Sequence, residues 1–170
     1  SHAKAVNFGI VYGISAFSLA QDIGVRPKEA QAYIDAYLEK YHGVREYMEK
    51  VISQAKHDGY VSTLFGRRRP MPELKSPNRN MRAFGERVAR NMPIQGTAAD
   101  IMKLAMVNAH RRMQAEGLQS RLILQVHDEL IAECPEDEAE QVKKLLEEEM
   151  SGAVSLSVPL TANAKTGHSW

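Results

Sequence analysis

The sequence predicts an α+β fold: a mainly helical first part, followed by a part with a small antiparallel sheet and long helices. Three observations predict it. Two successive apolar stripes of helical period run from Ala30 to Ala55, a long helical stretch runs from about Gly96 to Glu116, and Leu122, Leu124 and Val126 alternate with Ile123 and Gln125. Helices lead and the sheet follows, which is the α+β order.

The elements follow in order. Lys4, Phe8 and Tyr12 stand four apart, so a helix from Lys4 to Gly13 places them near one face, although Gly9 and Gly13 weaken its propensity. An apolar stretch from Ala16 to Ile23 stops at Gly24, and Pro27 opens a helix carrying Ala30, Tyr33, Ile34, Tyr37, Leu38 and Tyr41 on one side. Val44, Tyr47, Met48, Val51, Ile52 and Ala55 form the partner stripe, with Gly43 expected between the two helices and Gly59 as the closing cap. Tyr60 to Leu64 reads as a short strand, Gly66-Arg67-Arg68-Arg69-Pro70 as a basic turn, and the Pro-, Ser- and Asn-rich run through Asn80 as a loop. The internal boundary is placed there, dividing residues 1–78 from 79–170.

Beyond it, Met81 to Asn91 is helix-like, and Pro93 is expected to break or kink the chain before the long helix that Gly117 caps. The hairpin turns at His127-Asp128 and returns through Leu130 to Glu133. A last helix buries Val142, Leu145, Leu146 and Met150, and Val158-Pro159-Leu160 is expected as an edge strand.

Bulk composition narrows function only slightly. Of 170 residues, 44% are hydrophobic and 25% charged, enough for a globular core. The 22 basic and 21 acidic residues nearly cancel, so any nucleic-acid contact must be local. A lone Cys134 excludes an internal disulfide or thiolate cluster and reads as a packed thiol in a reducing compartment. No stretch is long and apolar enough to span a bilayer, and no signal-peptide pattern opens the chain, so a soluble cytoplasmic protein with no membrane partner is expected.

The tip of the second hairpin is chemically odd. Two-residue turns favour Asn-Gly, Asp-Gly or Gly pairs because they need positive φ, and His127-Asp128 is a poor substitute. One reading is that a carboxylate on two rigid strands presents oxygen to Mg²⁺. The other is that Asp128 and Glu129 are ordinary solvated turn residues, and spacing alone leaves both open. An aromatic pair such as Phe8 and Tyr12 is ordinarily core, Lys4 ordinarily a solvated surface lysine, and Arg87 ordinarily in a surface ion pair with Glu86 or a nearby acid. Arg67, Arg68 and Arg69 form the densest positive patch, readable as a phosphate contact or a solvated turn. His42, His57 and His110 lack ligand companions at metal spacing.

Three segments in order decide between these readings. Leu122 to Val126 running into His127-Asp128-Glu129-Leu130 resembles the third motif of family A DNA polymerases. Lys4-Ala5-Val6-Asn7-Phe8-Gly9-Ile10-Val11-Tyr12-Gly13 is similar to their nucleotide-binding helix. Arg87, Asn91 and Pro93-Ile94-Gln95-Gly96-Thr97-Ala98-Ala99-Asp100 resemble the motif between them. The resemblance covers nearly the whole chain. It implies a fingers part over 1–78, truncated on its N-terminal side, and the C-terminal half of a palm over 79–170.

It also implies roles for single residues. Asp128 would be one of two aspartates holding two Mg²⁺ ions for nucleotidyl transfer, Glu129 an auxiliary acid at the same metals, and His127 a contact to the primer end. Lys4 would meet the triphosphate of an incoming dNTP, Phe8 would stack on its sugar and base, and Tyr12 would guard the templating position. Phe8, where some relatives have Tyr, implies discrimination against dideoxynucleotides. Arg87, Asn91, Gln95 and Gln125 would line primer–template DNA through minor-groove acceptors common to all base pairs, with Arg67 and Arg68 on the backbone. The second aspartate and the motif's first Arg belong upstream of Lys4, and Asp100 is no replacement. The isolated chain is therefore expected to be inactive although its parent, expected to be a monomer, copies DNA. A His-Asp phosphohydrolase is set aside because its pair sits in helices, while a non-catalytic duplex-binding module is kept as the alternative.

Overall fold

The computed structural model describes residues 2–169, with side chains from residue 6 onward. It is α+β, as expected: six α-helices and two separate antiparallel hairpins among the described residues. The chain divides into two compact units, Ser1–Gly96 and Thr97–Trp170.

In the first unit, α1 (His2–Val11), α2 (Ala16–Ile23) and α3 (Pro27–Lys40) close on Leu19, Ala20, Ile23 and Ala30, with Val6, Ile14 and Ile34 against them. Helix α2 starts because the Ser15 hydroxyl accepts the Ser18 amide at 3.1 Å. Helix α3 starts because Pro27 suits a first helical position and the Glu29 carboxylate accepts the Arg26 amide at 3.0 Å. Helix α4 (His42–Asp58) follows α3 directly at Tyr41, whose amide donates to Tyr37 O at 2.8 Å. Gly43 is therefore inside α4, and not between the helices as expected.

Strands β1 (Tyr60–Ser62) and β2 (Arg68–Pro70) pair Val61 with Arg69. The basic triplet is thus mostly the returning strand. The reversal occupies residues 63–67, where the Gly66 amide donates to Thr63 O at 3.0 Å and Gly66 takes φ +83°. This hairpin packs with Ala55, Met71, Leu74 and Ala89 into a second buried cluster.

Helix α5 (Arg79–Ala115) corrects the expectation that Pro93 breaks the chain: the helix continues through the proline. Pro93 cannot donate to Ala89 O. The turns before it are nonetheless held, because Ala89 is fully buried, Met92 packs on the same cluster, and Gly96 lies so close to the β1–β2 turn that a Cβ there would sit 2.7 Å from Thr63 Cγ2. Tertiary packing outweighs one lost helical hydrogen bond.

In the second unit, β3 (Arg121–Val126) and β4 (Glu129–Glu133) pair through a bulge at Ile123, so one strand face is not continued regularly. Leu122, Leu130, Ala132 and half-buried Cys134 lie on a buried cluster of Ala109, Met113, Val142, Leu145 and Leu146, the last three from α6 (Ala139–Ser151). Val158-Pro159-Leu160 forms no strand. The tail is instead tied by side chains, with the Ala162 amide donating to Ser151 Oγ at 3.0 Å and the Ala164 amide to Glu147 Oε1 at 2.8 Å.

One clasp fixes where β3 begins. The Glu138 carboxylate accepts the Gln119 amide at 2.9 Å, the Ser120 amide at 3.0 Å and the Ser120 hydroxyl. These bonds, that from the Ser120 hydroxyl foremost, hold its pKa below the ordinary 4.5. A depressed acid stabilises the fold above its unfolded value and loses that contribution as pH falls through its folded value. Stability is therefore expected to hold down to about pH 4.5 and to fall further below it, whereas Glu138→Gln lowers stability at neutral pH and flattens that acid limb. Thermal melts across this range check it; an acid limb identical in the variant would remove Glu138 from the account.

Candidate polymerase half-sites

Two groups of expected site residues form in the first unit. On α1, Phe8 and Tyr12 stack with ring centroids 6.1 Å apart and planes 16° from parallel, yet they are 53% and 37% exposed. Aromatic faces of this size are normally buried, so their exposure removes the core reading. The Lys4 side chain lies outside the described residues.

Along α5, continuity through Pro93 puts Arg87, Asn91 and Gln95 in one stripe. Among the described residues no ion pair joins Arg87 to Glu86, whose Oε1 is 2.8 Å from Lys56 Nζ. Asn91 is half-buried, and its Oδ1 is enclosed without a hydrogen-bond partner. Arg68 lies over the Tyr60 ring, 4.5 Å from its centroid, while Arg69 approaches Glu73 at 3.6 Å. Arg67 and Arg68 are both exposed at the end of their hairpin.

The second unit holds the carboxylates. His127 has φ +51°, the left-handed conformation, and is the one non-glycine there among the described residues. Its carbonyl accepts the Gln125 side-chain amide at 2.8 Å, so Gln125 braces the turn. Asp128 and Glu129 are exposed, with no ion pair among the described residues. Two adjacent hard-oxygen donors suit Mg²⁺, which binds few carboxylates and keeps several waters. The described residues contain no group of three or more His, Cys, Asp or Glu arranged for a metal, so this pair alone does not make a complete site. Asp100, buried in α5, is not beside it as a third ligand.

A left-handed histidine is strained by about 1–2 kcal/mol. His127→Gly is therefore expected to leave the melting temperature unchanged or raise it, since glycine removes that strain at some cost in chain entropy. A clear fall in melting temperature would mean that the imidazole itself holds the turn.

The model of DNA polymerase family A matches residues 1–170. The chain belongs to that family. It is 54% identical over 168 residues to DNA polymerase I of Bacillus subtilis, covering 99% of this chain and 19% of that protein. It is 55% identical over 168 residues to DNA polymerase I of Pseudomonas aeruginosa, covering 99% of this chain and 18% of that protein. The chain thus spans about a fifth of the length of these curated relatives. The polymerase domain of Pol1 from M. smegmatis, solved with DNA primer-template and dNTP, matches at a TM-score of 0.90 and 46% identity, over 94% of this chain and 28% of that one.

Sequence reasoning missed one residue of this family A chain. Arg90, next to Asn91, reaches the end of α1, and no motif drew attention to it.

Proposed function

We propose that this chain supplies part of the fingers, residues 1–78, and the C-terminal half of the palm, residues 79–170, of a monomeric cytoplasmic polymerase that adds dNTPs to a DNA primer. The carrying observation is the strained His127 turn presenting two unpaired carboxylates, Asp128 and Glu129. Strain at a turn whose acids make no hydrogen bond or ion pair of their own among the described residues supports a functional demand on their position.

The roles divide between the units. Lys4 meets the triphosphate, Phe8 packs on the sugar and base and so disfavours dideoxynucleotides, and Tyr12 stands at the templating position. Arg87, Asn91 and Gln95 receive the duplex, donating to the minor-groove acceptors that all base pairs share. Gln125 joins them, its side-chain amide bracing the turn in the chain as it stands. Arg67 and Arg68 bind backbone phosphate as exposed cations, and His127 contacts the primer end. Asp128, with Glu129 beside it, would hold Mg²⁺, two ions in the complete enzyme, which when bound lowers the pKa of the primer hydroxyl and neutralises phosphate charge. The carboxylates themselves fix that charge on a rigid hairpin next to the primer end.

The test is Mg²⁺-dependent extension of a primed template by the full-length parent and by the 170-residue chain. Extension by the parent alone is expected. A parent that binds duplex without extending it would leave a non-catalytic binding module, and extension by the chain itself would overturn the half-site reading.

A further inference from the structure

Arg90 carries a charge that the proposed chemistry does not use. It follows the duplex-facing stripe on α5, but its guanidinium meets the turn that ends α1: a Cβ on Gly13 would lie 2.7 Å from Nη1 and 3.5 Å from Cδ. Gly13 has φ +75°, and its amide donates to Ile10 O at 2.9 Å while Ile14 donates to Gly9 O at 2.8 Å, which closes the helix. Glycine suits this position for its backbone conformation, and it leaves the arginine tip room to lie against the turn.

The charge is poorly compensated. The Arg90 side chain is 22% exposed, and among the described residues its Nε is enclosed without a hydrogen-bond partner and its ion pair with Glu86 Oε2 is long, at 4.0 Å. The other Glu86 oxygen is 2.8 Å from Lys56. Burial lowers the guanidinium pKa, Glu86 opposes that and Arg87 adds to it. A leucine or methionine would fill the same space without desolvating a cation. What a cation supplies is attraction to the partial negative charge at a helix C-terminus.

We propose that Arg90 is a positioning residue: seated against the Gly13 turn, it sets the orientation of α1, and so of Phe8 and Tyr12, relative to Asn91 on α5. This rests on the reading of α1 as the nucleotide-binding helix. Its loss loosens the grip on the incoming nucleotide, whereas the step governed by the Asp128 hairpin proceeds once nucleotide saturates.

In the full-length polymerase, Arg90→Ala is expected to raise KM for dNTP about tenfold with kcat within about twofold. Arg90→Lys restores part of it, since charge returns without the planar fork. Gly13→Ala raises KM as well, and combined with Arg90→Ala it adds less than the sum, because both act at one contact. Hydrogen exchange reports the same contact without catalysis: amides of residues 9–14 exchange about tenfold faster in Arg90→Ala. Unchanged KM in a folded Arg90→Ala enzyme, or a fall in kcat alone, overturns the proposal while leaving the polymerase reading intact. If the wild-type parent extends no primer, that reading fails instead, and unchanged exchange in α1 then overturns the role of Arg90.

Discussion

Replacing Asp128 by alanine in the full-length polymerase is expected to lower kcat for nucleotide addition about a thousandfold or more, with primer–template affinity within about threefold. The separation follows from where Asp128 sits. It is exposed, it makes no ion pair among the described residues, and no cluster of the core includes it. Surface substitutions of this kind change stability by about 0.5 kcal/mol or less, so the melting temperature reports an intact fold while the rate reports the lost ligand. Asp128→Asn is expected to fail almost as badly, because it keeps the shape and removes the charge that a divalent cation requires. Glu129→Ala is expected to cost less, as an auxiliary acid should. Primer extension under single-turnover conditions, with binding measured separately, checks all three. Activity of Asp128→Ala within tenfold of wild type would end the metal assignment.

Local rules carried much of the fold in the sequence. Gly24, Pro27, Gly59 and Gly117 each punctuate a helix for a chemical reason contained within a few residues, and the structure starts or ends helices beside them. Where the outcome depends on packing from elsewhere, the local rule fails. Pro93 obeys no local expectation, because Ala89, Met92 and the close approach of Gly96 to Thr63 hold the helix on both sides of it. The basic triplet reads as a turn until Val61 is seen paired with Arg69. Val158 to Leu160 has strand character but finds no strand to pair with, and α6 ties the following residues by side chains. The site divides in the same way. His127-Asp128 announces itself because it violates turn chemistry, and its positive φ is the price. Phe8 and Tyr12 looked like core by spacing, and only their exposure removes that reading. Arg90 was illegible, since its meaning lies in a contact with Gly13, 77 positions away on another helix.

Leu145→Ala is the second large expected effect, a loss of about 3 kcal/mol of stability with a fall in kcat at temperatures where the enzyme is still folded. Leu145 is 1% exposed on α6 and belongs to a cluster of only five buried side chains among the described residues of its unit's sheet-facing core. Truncation removes buried methyl groups and leaves a cavity that so small a cluster closes poorly. The functional consequence follows from what rests on it: Leu122, Leu130 and Ala132 place one face of the β3–β4 hairpin on this cluster, while Ile123 and Leu124 stay exposed. The cluster therefore contributes to how firmly the hairpin presents Asp128. Loosening it by a fraction of an ångström is enough to slow a reaction that depends on positioned charge. Leu145→Met, nearly equal in volume, should lose less than about 1.5 kcal/mol and keep most of the rate. Melting curves paired with single-turnover rates decide the matter. A Leu145→Ala enzyme that melts lower yet adds nucleotides at the wild-type rate would show that the hairpin is held by contacts other than this core.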